Sequence, residues 1–246
     1  FTKFKTTSKW TWVGLDNYVK ALADESFRYS FGYTALYAIV SVILINVLAF
    51  AVAYALTQKI KGANLFRTVF FMPNLIGGIV LGYIWSMIFD GILKNYGTYL
   101  TANGTYGFWG LVILVAWQQI GYMMIIYIAG LQAVPEDMLE AARIDGCTDY
   151  GVFFRIMVPN MIPAFGAMAI LSAMNSWNNL LWPLIVLNQD TKFTLPIGLG
   201  TTITPYGNAY DVLMPGAVMA VVPIIIVYLF CQKSFMAGMT AGSVKG

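Results

Sequence analysis

Five stretches of this chain carry no charge at all: Tyr29 to Gln58, Thr68 to Phe89, Asn95 to Pro135, Ile156 to Gln189 and Val212 to Gln232. Each matches or exceeds the roughly 20 residues that a helix needs to cross a bilayer. Inside hydrocarbon every backbone N–H and C=O must be satisfied within the protein, so only helices and closed barrels can span it. A barrel would show alternating segments of about ten residues, and the sequence has no such pattern. Hydrophobic residues make up 59% of the chain and charged residues 10%, against about 25% charged in a soluble domain. The expected fold is all-α and transmembrane. It has five helices with cores near 34–56, 68–89, 108–131, 161–187 and 212–232, after an extracytoplasmic arm over residues 1–33.

The Lys/Arg distribution orients these helices. Lys59, Lys61 and Arg67 sit in the first loop, Arg143 and Arg155 in the third, and Lys233 and Lys245 in the tail, against Lys94 and Lys192 in the alternate loops. Short cytoplasmic loops are the ones enriched in Lys and Arg, so the segment 136–159 is expected in the cytoplasm. The arm runs against this bias with Lys3, Lys5, Lys9, Lys20 and Arg28. The rule is softer for a translocated segment that follows an earlier helix. Because the chain opens with Phe1 rather than Met, we expect its native start, and one helix with it, to be missing. The stretch from Trp10 to Leu22 is amphipathic and is expected to lie at the membrane interface, with Trp10, Trp12 and Tyr18 at headgroup depth.

The residue inventory excludes most chemistry. With no His, imidazole metal sites, Ser/His/Asp triads and Cys/His dyads are impossible. Cys147 and Cys231 form neither a CxxC pair nor a disulfide framework. No GxxxxGK[ST] loop is present for phosphate. The net charge of +3 is spread over both faces rather than gathered into a nucleic-acid footprint. The expectation is a non-enzyme with neither a metal nor a cofactor of its own, and with no nucleic-acid partner.

One amphipathic, charged segment lies between the third and fourth apolar runs. Pro135, Glu136 and Asp137 read as a helix start, with acidic side chains where the helix dipole favours negative charge. Gly146 reads as its stop. A helix of two to three turns is marginal alone in water and needs a surface to pack on. Ala141 and Ala142 keep one face flat enough for a close partner, and Pro159 and Pro163 mark entry to the next span.

Glu140, Ala141 and Ala142, then Gly146, then Ile156, Met157, Val158 and Pro159 resemble the EAA loop of permease subunits of ATP-binding-cassette importers. Val158 stands where that family usually has Leu. The resemblance extends over essentially the whole chain and narrows to the carbohydrate type, similar to maltose and glycerol-phosphate permeases. WVGLDNY from Trp12, RTVFFMP from Arg67 and GLQAVP from Gly130 resemble the first of two paired subunits. WNNLLWPL from Trp177, TLPIGL from Thr194 and GMTAGSVKG from Gly238 resemble the second. That mosaic leaves open whether the partner is a sister permease or a second copy.

The resemblance implies a type I permease fold in a bacterial or archaeal inner membrane. It also implies a coupling helix at about Pro135 to Gly146 that docks on a dimer of cytoplasmic ATP-binding subunits, which would bind the ATP. Glu140, Ala141, Ala142, Asp145 and Gly146 would form the coupling set. A second permease, an extracytoplasmic solute-binding protein, a sugar substrate and the lipid bilayer complete the implied partners. The segment Asn188 to Asp211 resembles an external loop that reaches toward the binding protein, and an idle connector fits it nearly as well.

Polar groups inside a membrane are costly, so each is a candidate for function. Ser172, Asn175, Ser176 and Asn179 recur at i, i+3, i+4 and i+7, one face of a helix, with Trp177 and Trp182 beside them. Such a face suits a sugar, whose hydroxyls need polar partners while its C–H faces stack on rings. It suits hydrogen bonding between packed helices equally well. Gln118, Gln119 and Tyr122 lie on the third helix, and the resemblance implies that these positions and the stripe line the cavity. Pro73, Asn74, Gly77 and Gly78, and likewise Pro215, Gly216 and Pro223, read as packing or hinge positions. Asn46 reads as a satisfied packing residue. A permease for a non-sugar solute such as a glycerol-phosphate compound is the nearest alternative. A secondary transporter would need ionisable relay residues at mid-membrane, which the spans lack.

Overall fold

The computed structural model describes residues 2–6, 9–58, 60–187, 193–201, 203–204, 207–208 and 210–241. A short hairpin, β1 (Thr2–Thr6) and β2 (Lys9–Trp12), leads into α1 (Asp16–Ala23) and the long α2 (Glu25–Thr57). Next come α3 (Ala63–Phe71), a 3-10 turn (Met72–Leu75) and α4 (Gly78–Leu93), followed by the 3-10 turns Lys94–Tyr96 and Leu100–Ala102 and by α5 (Gly104–Gln132). The central loop holds α6 (Glu136–Ile144), α7 (Asp149–Val152), a π-helical turn (Phe153–Met157) and α8 (Val158–Asn160). The chain closes with α9 (Ile162–Trp177), α10 (Leu181–Val186), α11 (Leu195–Thr201), the pair β3 (Ile203–Thr204) and β4 (Gly207–Asn208), and α12 (Tyr210–Ala241).

Among the described residues three helices are long and apolar enough to cross a membrane, and five spans result when each of two broken pairs counts as one. The expected number is therefore met, but two spans are not single helices. The second breaks at Ile76 and Gly77: Pro73 tightens the preceding turn and Ile76 is extended, consistent with the hinge reading of this stretch. The fourth joins Asp149–Asn160 to Ile162–Trp177 through a 61° bend, and the stretch expected to run unbroken from 161 to 187 also ends as a helix at Trp177 and resumes at Leu181. The first begins at Glu25 rather than 34, so the last residues of the expected arm are already helical. The other end of the expected interfacial stretch, Leu15, Val19 and Leu22 around α1, is exposed and apolar. The side chain of Trp10, much of 188–211 and residues 242–246 fall outside the described residues.

Packing divides the chain into two compact units. One comprises Phe1–Val40, Gly78–Leu114 and Met174–Val227; the other Ser41–Gly77, Val115–Ala173 and Tyr228–Gly246. The first has a core of Phe27, Ala38, Trp177 and Leu195, closed over by Phe31, Leu199 and Met219. Trp177 meets Phe31 edge to face at 5.5 Å, and its indole Nε1 donates to the Ala220 carbonyl at 2.9 Å. On α4, Gly78 and Gly82 admit Leu181, Trp182 and Ile185 of α10 so closely that a Cβ on either glycine would crowd them. The TLPIGL stretch folds back as α11: Leu195 and Ile197 are buried, and the Leu195 N–H donates to the Thr34 hydroxyl at 2.7 Å.

The second unit is held by rings and close backbone approach. Phe50 packs edge to face on Phe165 at 4.8 Å and on Tyr127 at 5.7 Å. Gly121 of α5 lies directly against the backbone of Phe70 and Phe71 on α3, the kind of contact that small residues make possible between membrane helices. Arg67 donates from Nη2 to the Leu56 carbonyl at 3.1 Å, placing a cation at the C-terminal end of α2, where the helix dipole favours one.

Candidate functional site

The charged loop between α5 and α9 builds its own short helix from local rules. Pro135 caps α6 in an extended conformation, Glu136 and Asp137 occupy the first turn, and Arg143 stands in the last. The C-terminus closes as a Schellman motif: the Cys147 N–H donates to the Ala142 carbonyl at 2.9 Å and the Gly146 N–H to the Arg143 carbonyl at 3.1 Å. Gly146 takes φ +82° to do so, a left-handed conformation that costs a residue with a Cβ about 1–2 kcal/mol. Ala142 is buried, while Glu140, Ala141, Asp145 and Gly146 are exposed. Ile144 is 84% exposed. Four of the five expected coupling residues thus lie open on one small element, and Ala142 is its anchor.

A second, irregular segment joins α6 to the membrane helix. The Thr148 hydroxyl accepts from the Gly151 N–H at 3.2 Å and starts α7. Arg143 and Asp149 pair at 3.7 Å, but both are so exposed that the pair adds little. The widened turn Phe153–Met157 precedes Pro159. In a regular α-helix the Pro159 ring would collide with the carbonyl four residues back, at Arg155, and a π-helical turn is one way to relieve that collision. The chain then bends by 61° into α9.

A buried polar network ties α2, α5 and α9 together. The Tyr127 hydroxyl donates to the side-chain oxygen Oδ1 of Asn46. The Asn46 amide donates to the Ser172 hydroxyl at 3.0 Å and to the Val42 carbonyl at 2.7 Å. Ser172 in turn donates to the Met168 carbonyl at 2.8 Å and is fully buried. Asn46 is the satisfied packing residue the sequence implied. Ser172, expected on the cavity face, here gives its one proton to the preceding helical turn and accepts from Asn46. Sequence reasoning misses Tyr127, because a Tyr in an apolar run gives no sign of where its hydroxyl points.

The rest of the stripe also separates. Asn179 lies beyond the end of α9 and accepts from the Trp182 N–H, in the first turn of α10, at 3.2 Å through its side-chain oxygen. Asn175 is exposed while Ser176 is buried, because successive residues on a helix differ in direction by about 100°. Among the described residues the Ser176 hydroxyl has no hydrogen-bond partner. Trp177 and Trp182 are both buried in apolar packing and present no open ring face for stacking. On α5, Gln118 and Gln119 are half-buried and Tyr122 is exposed. The side-chain oxygen of Gln119 is buried without a partner among the described residues. Gln118, Gln119, Tyr122 and Ser172 belong to one unit, and Asn175, Ser176 and Asn179 to the other. Among the described residues no group of three His, Cys, Asp or Glu side chains comes together to hold a metal.

Residues 61–240 match the family described as binding-protein-dependent transport system inner membrane component. The arabinooligosaccharides transport system permease protein AraQ of Halalkalibacterium halodurans is 42% identical over 94% of this chain and 80% of its own length. The multiple sugar-binding transport system permease protein MsmG of Streptococcus mutans is 29% identical over 94% of this chain and 82% of its own. Among solved structures, a bacterial ABC transporter involved in the import of the acidic polysaccharide alginate matches with a TM-score of 0.76 at 16% identity, covering 96% of this chain and 85% of that one. At that identity the structural likeness speaks for the fold alone.

Proposed function

Because the chain belongs to the family of binding-protein-dependent transport system inner membrane components, we propose that it forms half of the path by which a sugar or oligosaccharide enters the cell, driven by a separate ATPase. The carrying observation is α6. This helix is closed by Pro135 at one end and by a left-handed glycine at the other, and it presents Glu140, Ala141, Asp145 and Ile144 to the outside. A short rigid helix tied at both ends to membrane spans transmits a rigid-body movement rather than absorbing it. Docked on a cytoplasmic ATP-binding subunit, α6 converts closure of that dimer into rocking of the membrane helices, and hydrolysis resets them. The ATP stays on the partner, and this chain contributes no bond-making chemistry.

The relatives named for arabinooligosaccharides and multiple sugars support a carbohydrate cargo, presented by an extracytoplasmic binding protein to this chain and a second permease subunit in a bacterial or archaeal inner membrane. Within the chain, Gln119 best fits a residue facing the cargo, since its oxygen is buried and unpartnered and an unsatisfied buried acceptor costs about 1–3 kcal/mol unless something fills the place. Gln118 and Tyr122 share its helix. A test is reconstitution of the complex in vesicles with its binding protein and ATPase subunit, followed by ATP hydrolysis across a sugar panel. Stimulation by a sugar-loaded binding protein is expected. Stimulation only by a non-sugar solute would replace the cargo and keep the mechanism, and uptake without any ATPase subunit would overturn both.

A further inference from the structure

The chain does not run straight from α6 into the membrane helices. On the N-terminal side only Ala133, Val134 and Pro135 separate α6 from α5, and Val134 is buried. On the C-terminal side the left-handed Gly146, the π-helical turn Phe153–Met157 and the 61° bend between Asn160 and Ile162 all come before α9. A push delivered to α6 is taken up at such joints unless the segment is braced from the side. Phe153, the first residue of the π-helical turn, is so braced. Its ring meets Tyr54 of α2 at 4.7 Å and Phe50 of α2 at 5.9 Å. Phe50 packs in turn on Phe165 of α9 at 4.8 Å and on Tyr127 of α5 at 5.7 Å. Tyr127 then holds Asn46, whose amide reaches Ser172. A continuous set of contacts thus joins the loop to all three helices within one packed unit. Close-packed groups compress little and transmit strain, and edge-to-face rings hold a preferred geometry.

We propose that Phe153 is a positioning residue for coupling: its ring carries the movement of α6 past the π-helical turn into α2, and through Phe50 and Tyr127 into α9 and α5. This rests on α6 as the element that docks on the ATP-binding subunits. The experiment uses the assembled complex in proteoliposomes with its binding protein and ATPase subunit, and tritiated arabinotriose, maltotriose and raffinose as probes. It reads sugar accumulated per ATP hydrolysed, beside the melting temperature and co-purification of the ATPase subunit. Phe153→Ala is expected to lower the sugar-to-ATP ratio about fivefold, within the range by which residues along a coupling network modulate it, while the ATPase subunit still co-purifies. Phe153→Tyr keeps the ring and restores the ratio. Tyr54→Leu removes the brace from the α2 side and lowers the ratio in the same way, which decides the matter where Phe153→Ala fails to assemble. Ile45→Ala, at a fully buried position of α2 outside the ring cluster, lowers the melting temperature with the ratio unchanged. A ratio that follows the melting temperature across all of these variants, or that survives both Phe153→Ala and Tyr54→Leu, would overturn the brace and leave Phe153 as packing. An unaltered complex whose ATP hydrolysis answers to none of the three sugars would overturn the sugar reading itself, and the brace with it.

Discussion

The backbone oxygen of Phe70 occupies the space in which residue 121 would carry a side chain: a Cβ built on Gly121 would lie 1.9 Å from it. Real Cβ atoms do not approach that closely, and the obstacle is backbone, which cannot swing aside as a side-chain tip can. This contact sets the spacing between α3 and α5.

Gly121→Ala is therefore expected to force the two helices apart and to lower stability by about 1–3 kcal/mol, the usual cost of overpacking. A thermal unfolding series of the purified complex checks it. Gly77→Ala, at a glycine with open space around it, is the control and should shift the midpoint less.

Asn46→Leu strands the Tyr127 hydroxyl and should destabilise by about 1–3 kcal/mol through that unsatisfied group. Combining it with Tyr127→Phe removes the stranded group, so the pair should cost less than the two single changes added. A double-mutant cycle in denaturant measures the difference, and strict additivity would dissolve the network as a unit.

Gly146 has nothing within 4 Å of a built Cβ, yet its φ is +82°. A substitution there acts through the backbone alone. Gly146→Val should loosen the end of α6 and abolish co-purification of the ATPase subunit while membrane insertion stays intact. Gly146→Asn, which tolerates the left-handed region better, should retain part of the association. Equal retention by both variants would separate this turn from coupling.

Gln119→Leu is expected to change which sugars stimulate ATP hydrolysis while leaving assembly unaltered. Ser172→Ala should do the reverse, weakening the fold with the sugar profile intact, because its hydroxyl is spent on Asn46 and Met168. Asn179→Leu joins the second class: it removes the acceptor for the Trp182 N–H at the start of α10, a loss of about 0.5–1.5 kcal/mol for one hydrogen bond. ATPase titrations with each sugar, beside melting curves, sort the three variants.

Hydropathy alone determined that the chain spans the membrane and about how many times, because bilayer thickness and backbone satisfaction leave no other solution for uncharged runs of this length. The central helix was equally legible: Pro135 starts it and Gly146 stops it by rules that act within one turn. The surroundings of the expected cavity-lining residues were only partly legible. Periodicity placed Ser172, Asn175, Ser176 and Asn179 on one face by assuming an unbroken helix, whereas α9 stops at Trp177, Asn179 accepts from the Trp182 N–H and Trp182 packs on Gly82. The hydrogen bond of Ser172 comes from Asn46, 126 residues away, which is held in turn by Tyr127, 81 residues from Asn46. Only the tertiary structure brings those three together. A side chain's partner across the bundle is decided by the packing of whole helices, a property that no local window of sequence contains.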